Sequence, residues 1–317
     1  MSDSNAPENT PNNDEIQPLP ERQGSNKGLK TALIAGGVVV ALGLGAFAFT
    51  RGGDDDSKLT TVKIGTTEAA APYWPPFVKL AKENGINLEV VSFSDYTQAN
   101  PALAQKQLDV NLFQHLQFLA SYNVSDKQTL TPIGSSVVVP LSLYSKKHTQ
   151  LSQVPQGGKV AIPNDPTNQA RALLVLQQAG LLKLKNGGNT LSTPADILAS
   201  ESKVSVTAVD AAQTVAALPS VDASIVNNNF ALDAKLDPSK ALFADDPAKP
   251  AAEPYINIFV TRAADKDNPT FKKLVELYHQ PQVESQVKAS SKNTAVLVTK
   301  PAADLQRILA ELEKNQK

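Results

Sequence analysis

Apolar positions along the chain fall into three regimes. The first 28 residues carry almost no large apolar side chains and are rich in Asn, Pro, Asp, Glu and Ser. Such a segment cannot bury enough surface to offset the entropy of ordering, so residues 1–28 are expected to be a disordered tail. Residues 32–50 hold only apolar side chains, Gly and a closing Thr, with no charge. At a helical rise those 19 residues come close to crossing a hydrocarbon core of about 30 Å, which predicts a transmembrane helix over 29–50. Arg22, Lys27 and Lys30 precede the span, while Arg51 and Asp54, Asp55 and Asp56 follow it, so the basic bias puts the N-terminus in the cytoplasm. Everything beyond the polar tether at 51–57 is then extracytoplasmic on a single-pass membrane anchor. Ala46-Phe47-Ala48 also fits a signal-peptidase pattern, but both the tail and the apolar stretch exceed signal-peptide lengths.

The third regime alternates short β-type runs with helical patterns. Strands are predicted at 62–65, 88–93, 108–112, 133–139, 141–144, 159–162, 204–209, 223–226 and 255–261. Helices are predicted at 76–84 and 168–179, each closed by a glycine, and at 101–105, 211–218, 269–279 and 302–317. Strand and helix in alternation predict an α/β fold with mainly parallel sheets. In such sheets ligands bind beyond the carboxyl ends of strands, which directs attention to the loops after Ile64, Phe93, Leu112, Ile162 and Val226.

Composition removes several functions. A net charge of -1, from 30 basic against 31 acidic side chains, argues against nucleic-acid binding, because no counterion-release drive is available. With no cysteine there is neither a disulfide nor a thiolate metal site. His115, His148 and His279 lack the spacing of a helical zinc pair, so neither a metal nor a cofactor is expected.

The segment from Ala161 to Arg171 leaves a strand, turns through Pro163 and Pro166, and enters a helix at a capping side chain. Arg171 then offers a planar fork suited to two parallel hydrogen bonds with a carboxylate, although a salt bridge at a helix end is the plainer use of an arginine there. Asn227, Asn228 and Asn229 follow a strand; amides supply both donor and acceptor to a zwitterion, while three asparagines are equally ordinary turn chemistry. Asn257 enters the next strand. Tyr96, Phe113 and Phe118 can wall an apolar pocket or simply pack a core. His115 has no serine or carboxylate beside it in sequence.

Taken together, Phe93-Ser94-Asp95-Tyr96, Asp109 through His115, Leu143 through Lys147, Asn164-Asp165-Pro166-Thr167-Asn168-x-x-Arg171 and Pro254-Tyr255-Ile256-Asn257 resemble the NlpA lipoprotein family, over roughly residues 61–286. The resemblance implies a two-lobed periplasmic-binding-protein fold with a ligand cleft between lobes, residues 58–139 and 255–317 forming one lobe and 140–254 the other. It also implies a substrate-binding protein of an ABC importer, which captures L-methionine or a related amino acid or dipeptide by lobe closure and hands it to permease subunits. Arg171 matches the family arginine on the ligand carboxylate, Asn227 and Asn257 the asparagines at the head group, and Tyr96, Phe113 and His115 the residues lining the side-chain pocket. Four departures stand out: no cysteine for a lipid, Phe118 where tyrosine is frequent, Ser136-Val137-Val138-Val139 in place of an aromatic-containing strand, and Tyr73-Trp74 in an Ala-rich first loop from Glu68 to Pro75. Two rivals are a membrane-anchored sensor that binds the same ligand without transport, and an exported hydrolase using His115 with Asp95 or Asp109.

Overall fold

A computed structural model describes residues 59–316. Residues 1–58, and with them the tail, the predicted transmembrane helix and the tether, lie outside the described residues. Among the described residues no helix is long and apolar enough to cross a membrane.

Two five-stranded sheets organise the chain. The first is built from β1 (Thr60–Thr66), β2 (Ile86–Ser92), β3 (Val110–His115) and β4 (Leu130–Ser135), and is completed by β11 (Asn257–Arg262), which returns late in sequence. Its order is β2-β1-β3-β11-β4. The chain then crosses through β5 (Val137–Val138) into the second sheet, formed by β6 (Ser142–Tyr144), β7 (Gly158–Pro163), β8 (Val204–Val209), β9 (Ala223–Val226) and β10 (Phe243–Ala244), in the order β10-β6-β9-β7-β8. A 3-10 turn over Pro250–Tyr255 carries it back to β11. Beside the outward crossing, β12 (Val296–Leu297) pairs antiparallel with β5, so the C-terminal region is strapped onto the hinge.

The sheets are mixed, where alternation in sequence predicts mainly parallel ones. β1 runs parallel to β2 and β3, but β11 is antiparallel to both β3 and β4. In the second sheet β7 is parallel to β8 and β9, while β6 is antiparallel to β9 and β10. The antiparallel strands are those flanking the crossings, because a chain that leaves a lobe and re-enters it does so without the helical crossover that keeps neighbours parallel.

Helices cover both faces of the first sheet. In α1 (Trp74–Glu83), Trp74, Phe77 and Ala81 share one side and pack with Phe271, Leu274 and Tyr278 of α7 (Pro269–Tyr278) and Val283 and Val287 of α8 (Pro281–Ser290). Phe77 is fully buried, a contribution of about 1.5–3 kcal/mol. Two prolines in its first turn and Gly85, at φ +78°, in the left-handed region after its end delimit α1. The opposite face packs on α2 (Ala99–Ala104), α3 (Leu116–Ser125) and α9 (Ala302–Lys314). Along β11 the alternation is explicit, with Phe259 turned to the first cluster and Ile258 and Val260 to the second.

Several predicted elements shift, and the run at 133–139 divides into β4, which starts at Leu130, and β5. Tyr255, expected to open a strand, ends the 3-10 turn instead. Residues 211–218 divide into a 3-10 turn at Ala211–Gln213 and a short α5 (Thr214–Ala217). The third strand starts at Val110 rather than at 108 and runs on to His115, placing the aromatic segment in the sheet.

Candidate functional site

The second sheet's main helix, α4 (Pro166–Gln178), begins two residues before the predicted start at 168: Asp165 caps it by accepting from the Asn168 backbone N–H at 2.9 Å, and Pro166 lies in the first turn of the helix and not in the turn ahead of it. That start turns Asn168 and Arg171, one helical turn apart, toward the first lobe. β9 ends at Val226, and Asn227, Asn228 and Asn229 open α6 (Asn228–Asp233) from the same side. From the first lobe come Glu68 after β1, Tyr96 after β2, and Phe113 and His115 at the end of β3. Tyr96, Phe113, His115, Arg171, Asn227 and Asn257, all six residues singled out in sequence, line one cavity between the sheets. Its volume of ≈ 70 Å³ is about five times the least that holds a single water, so it suits a small solute rather than a polymer.

Hydrogen bonds fix the orientation of its polar groups. The Asn168 Nδ2 donates to both oxygens of Asp165, at 3.1 and 3.2 Å, and an ionised carboxylate can only accept, so the Asn168 Oδ1 must face the other way. There it accepts from the Asn227 Nδ2 at 3.0 Å and lies 3.4 Å from the His115 Nε2. The His115 Nδ1 accepts from the Phe118 backbone N–H at 3.1 Å, which makes Nε2 the protonated nitrogen. Burial, with Arg171 adding to it and the Asn168 contact opposing it, depresses the His115 pKa to about 3, so the ring is neutral at physiological pH. The chain of constraints ends at Asn227, whose Oδ1 is buried and has no hydrogen-bond partner among the described residues. Asn229 has the complementary lack: Oδ1 accepts from the Tyr96 hydroxyl across the cleft, and Nδ2 is buried without an acceptor. Such orphans are costly unless something supplies the missing partner.

Arg171 is 4% exposed. Nε donates to the Asp245 Oδ2 at 2.7 Å, and Nη2 donates to Oδ1 at 3.1 Å and to the Val139 carbonyl at 2.8 Å. The fork that sequence reading matched to a ligand carboxylate is therefore closed on an internal one. Asp245 sits just beyond β10, far away in sequence, and nothing local announces the pairing. Nη1 has no hydrogen bond to a described residue. The guanidinium also lies 4.2 Å above the ring of Tyr255.

Tyr96, Phe113 and Phe118 form the aromatic wall, with ring centroids 5.8–6.2 Å apart, and Phe230 reaches Tyr96 from the other lobe at 5.2 Å. Ser136, Val137 and Val139 complete the lining on the crossing, and Asn257 donates from Nδ2 to the Val137 carbonyl at 3.3 Å. Glu68 was not singled out by sequence reasoning. It lies in an Ala-rich loop that matches no catalytic or binding motif, and its only signal was Tyr73-Trp74 a few residues on. The Tyr73 hydroxyl donates to the Glu68 Oε1 at 2.8 Å, and the Trp74 Nε1 donates to its carbonyl at 2.9 Å. Burial pushes the Glu68 pKa up to about 7, against the pull of the Tyr73 hydroxyl.

The hydrolase reading has no geometric support. The bonds of Asp95 go to Thr97 and Gln98, and Asp109 is engaged with the Lys63 backbone N–H and the Arg262 side chain. Neither carboxylate is a hydrogen-bond partner of His115, whose ring is held by Asn168 and Phe118. Among the described residues no cluster of His, Asp and Glu could hold a metal.

Two α/β lobes joined by crossing segments, with one small polar-and-aromatic cavity where their strand ends face each other, define a two-lobed substrate-binding protein. The chain belongs to the NlpA lipoprotein family, whose profile matches residues 62–299. It is 33% identical over 245 residues to the D-methionine-binding lipoprotein MetQ of Escherichia coli K12, covering 76% of this chain and 89% of that one. Among solved structures it is similar to a nutrient binding protein from Burkholderia cenocepacia bound to methionine, with a TM-score of 0.70 and 39% identity over 74% of this chain and 99% of that one. The substrate binding protein of a methionine transporter from Streptococcus pneumoniae aligns with a TM-score of 0.70 and 36% identity, covering 75% and 95% of the two chains.

Proposed function

We propose that this protein is the extracytoplasmic substrate-binding component of an ABC importer and that it captures methionine in the cleft for delivery to permease subunits, with residues 29–50 as its membrane anchor. The observation that carries the reading is the convergence of Arg171, Asn227 and Asn257 with an aromatic wall on one cavity between the lobes. The methionine named for the relatives supports the ligand. In this reading the Arg171 Nη1 meets the ligand carboxylate, Asn227 and Asn257 read the head group, and Tyr96, Phe113 and His115 enclose the side chain. A neutral His115 suits a thioether, which binds by dispersion and by sulfur–aromatic contacts worth about 0.3–1.5 kcal/mol each.

No bond is made or broken. The Tyr96–Asn229 and His115–Asn168 contacts join the lobes around the cavity, so a ligand touching both lobes selects the closed arrangement and strengthens its own polar contacts by excluding water. Titration calorimetry with L-methionine, together with mass spectrometry of small molecules released by denaturing freshly purified protein, tests this directly. Saturable 1:1 binding that Arg171→Ala weakens by at least about 30-fold is expected, since removing one partner of a buried charge contact costs 2 kcal/mol or more. Absence of heat with methionine, and of any released amino acid, overturns the proposal.

A further inference from the structure

Among the described residues lining the cavity, Arg171 is the one cation and Glu68 the one acid. The Arg171 charge is already matched by Asp245, which lies behind it. A zwitterion entering the cavity therefore finds its carboxylate partner partly neutralised, and its ammonium finds a single carboxyl. The loop presents that carboxyl in a fixed pose: the Glu68 N–H donates to the Thr66 Oγ1 at 3.2 Å, Trp74 holds its carbonyl, and Tyr73 holds Oε1. Oε2 has no protein donor among the described residues. In the same lining, the Asn227 Nδ2 is taken by Asn168, so the buried Oδ1 faces away from Asn168 and also lacks a donor among the described residues. An ammonium carries three N–H donors and no acceptor, which is the complement of two unfilled acceptors of which one can be charged.

Building on the methionine reading above, we infer that Glu68 is a specificity-determining residue of the cleft that receives the ligand's free α-ammonium, together with Asn227, and so restricts the ligand to amino compounds with an uncapped amine. The residue's environment agrees. The groups that act on Glu68 are the Tyr73 hydroxyl, which favours its ionised form, and Asp233 from the opposite lobe, whose charge disfavours it; the Glu68 charge in turn adds to burial in holding the phenols of Tyr73, Tyr96 and Tyr278 above the ordinary tyrosine value. Lys235 and Lys292 stand further out, lining the adjoining cavity that Glu68 shares, and Lys292 is engaged with Asp237. With no ligand, Glu68 titrates at about 7. An arriving ammonium favours its ionised form, so binding near neutrality expels a proton.

The test compares L-methionine with its des-amino analogue, 4-(methylthio)butanoate, on the full chain and on Glu68→Gln. At pH 8 the substitution is expected to weaken methionine about tenfold or more and the analogue by no more than about twofold, because only methionine loses a charge-assisted contact. Calorimetry of the unaltered protein at pH 7, in two buffers of different ionisation enthalpy, is expected to show about half a proton released per methionine, since a group with a pKa near 7 is half protonated there. Methionine affinity should rise with pH up to about 7 and level off above it. Equal losses for the two ligands overturn the inference, as does methionine binding without proton release; the second result needs no variant and stands even if Glu68→Gln does not fold. A protein that binds no methionine at all overturns the proposed ligand, and this assignment with it, whereas methionine binding without proton release overturns this assignment alone.

Discussion

Asp245 closes both carboxylate oxygens on Arg171, one on Nε at 2.7 Å and the other on Nη2 at 3.1 Å, and the same Oδ1 accepts from the Leu141 backbone N–H at 2.7 Å. Because the Arg171 Nη2 also reaches the Val139 carbonyl, the ion pair grips the chain on both sides of Pro140, where it passes from one lobe to the other. The residue proposed to hold the ligand is thus bonded directly to the hinge.

That geometry separates stability from binding. Asp245→Asn leaves a buried guanidinium without its counter-charge and should destabilise the protein by about 3–5 kcal/mol. The double variant Arg171→Met with Asp245→Leu removes both charges and should regain most of that loss while methionine binding is weakened at least about 30-fold, as in Arg171→Ala. Urea unfolding and calorimetry on the same samples check both halves. A double variant as unstable as the single one would show that the pair's worth lies elsewhere than in mutual compensation.

Asn168 offers a second handle, since its Oδ1 serves both Asn227 and His115. Asn168→Ala orphans two buried donors, at about 1–3 kcal/mol each, and frees the Asn227 amide to rotate. Methionine affinity should fall about tenfold although Asn168 is two links removed from the head group. Affinity measured by calorimetry that stays within a factor of two would remove Asn168 from the orienting chain.

Much of this was written in local sequence. Two prolines leading into a helix, glycines after the first and fourth helices, and strand ends followed by polar or aromatic residues direct attention to the cavity, and the family resemblance picks out six of its lining groups. What stayed hidden depends on distant partners. Asp245 becomes informative only once the second sheet brings it beside Arg171. Glu68 in an alanine-rich loop is unremarkable until Tyr73 and Trp74 fold back onto it. Residues 116–125 were not read as a helix because Leu116, Gln117, Leu119, Ala120 and Asn123 are all buried in α3, so no polar face marks the period. The mixed sheet order likewise follows from the two crossings and not from any strand's own residues.

Lys292 and Asp237 join the lobes by an ion pair at 3.2 Å, but their side chains are 54% and 42% exposed. Solvent screening limits such a pair to about 1 kcal/mol or less. Lys292→Ala should therefore leave methionine affinity within about fivefold of the parent and reduce the dependence of affinity on salt. A larger loss, unchanged at high salt, would mean that closure relies on this bridge more than its exposure allows.

Two cleft groups, the partly buried Glu68 and the buried His115, titrate in opposite senses. Glu68, at about 7 in the fold against 4.5 unperturbed, holds a proton that the unfolded chain has lost, so its contribution to stability declines as pH rises from about 4.5 to 7. His115, at about 3 against 6.5, lacks a proton that the unfolded chain has gained, so its contribution declines as pH falls from about 6.5 to 3. Between about 4.5 and 6.5 the proton counts of folded and unfolded states differ by opposite amounts at the two sites, and the slopes cancel. Substitution unmasks each partner. Relative to the parent, Glu68→Gln should gain stability as pH rises across that window, by about 1.4 kcal/mol per pH unit at most, and His115→Gln should gain it as pH falls. Urea unfolding of the parent and the two variants from pH 4.5 to 8 gives both difference curves. Slopes of the same sign, or a flat curve for either variant, would mean that the group in question is not held in the protonation state its surroundings impose.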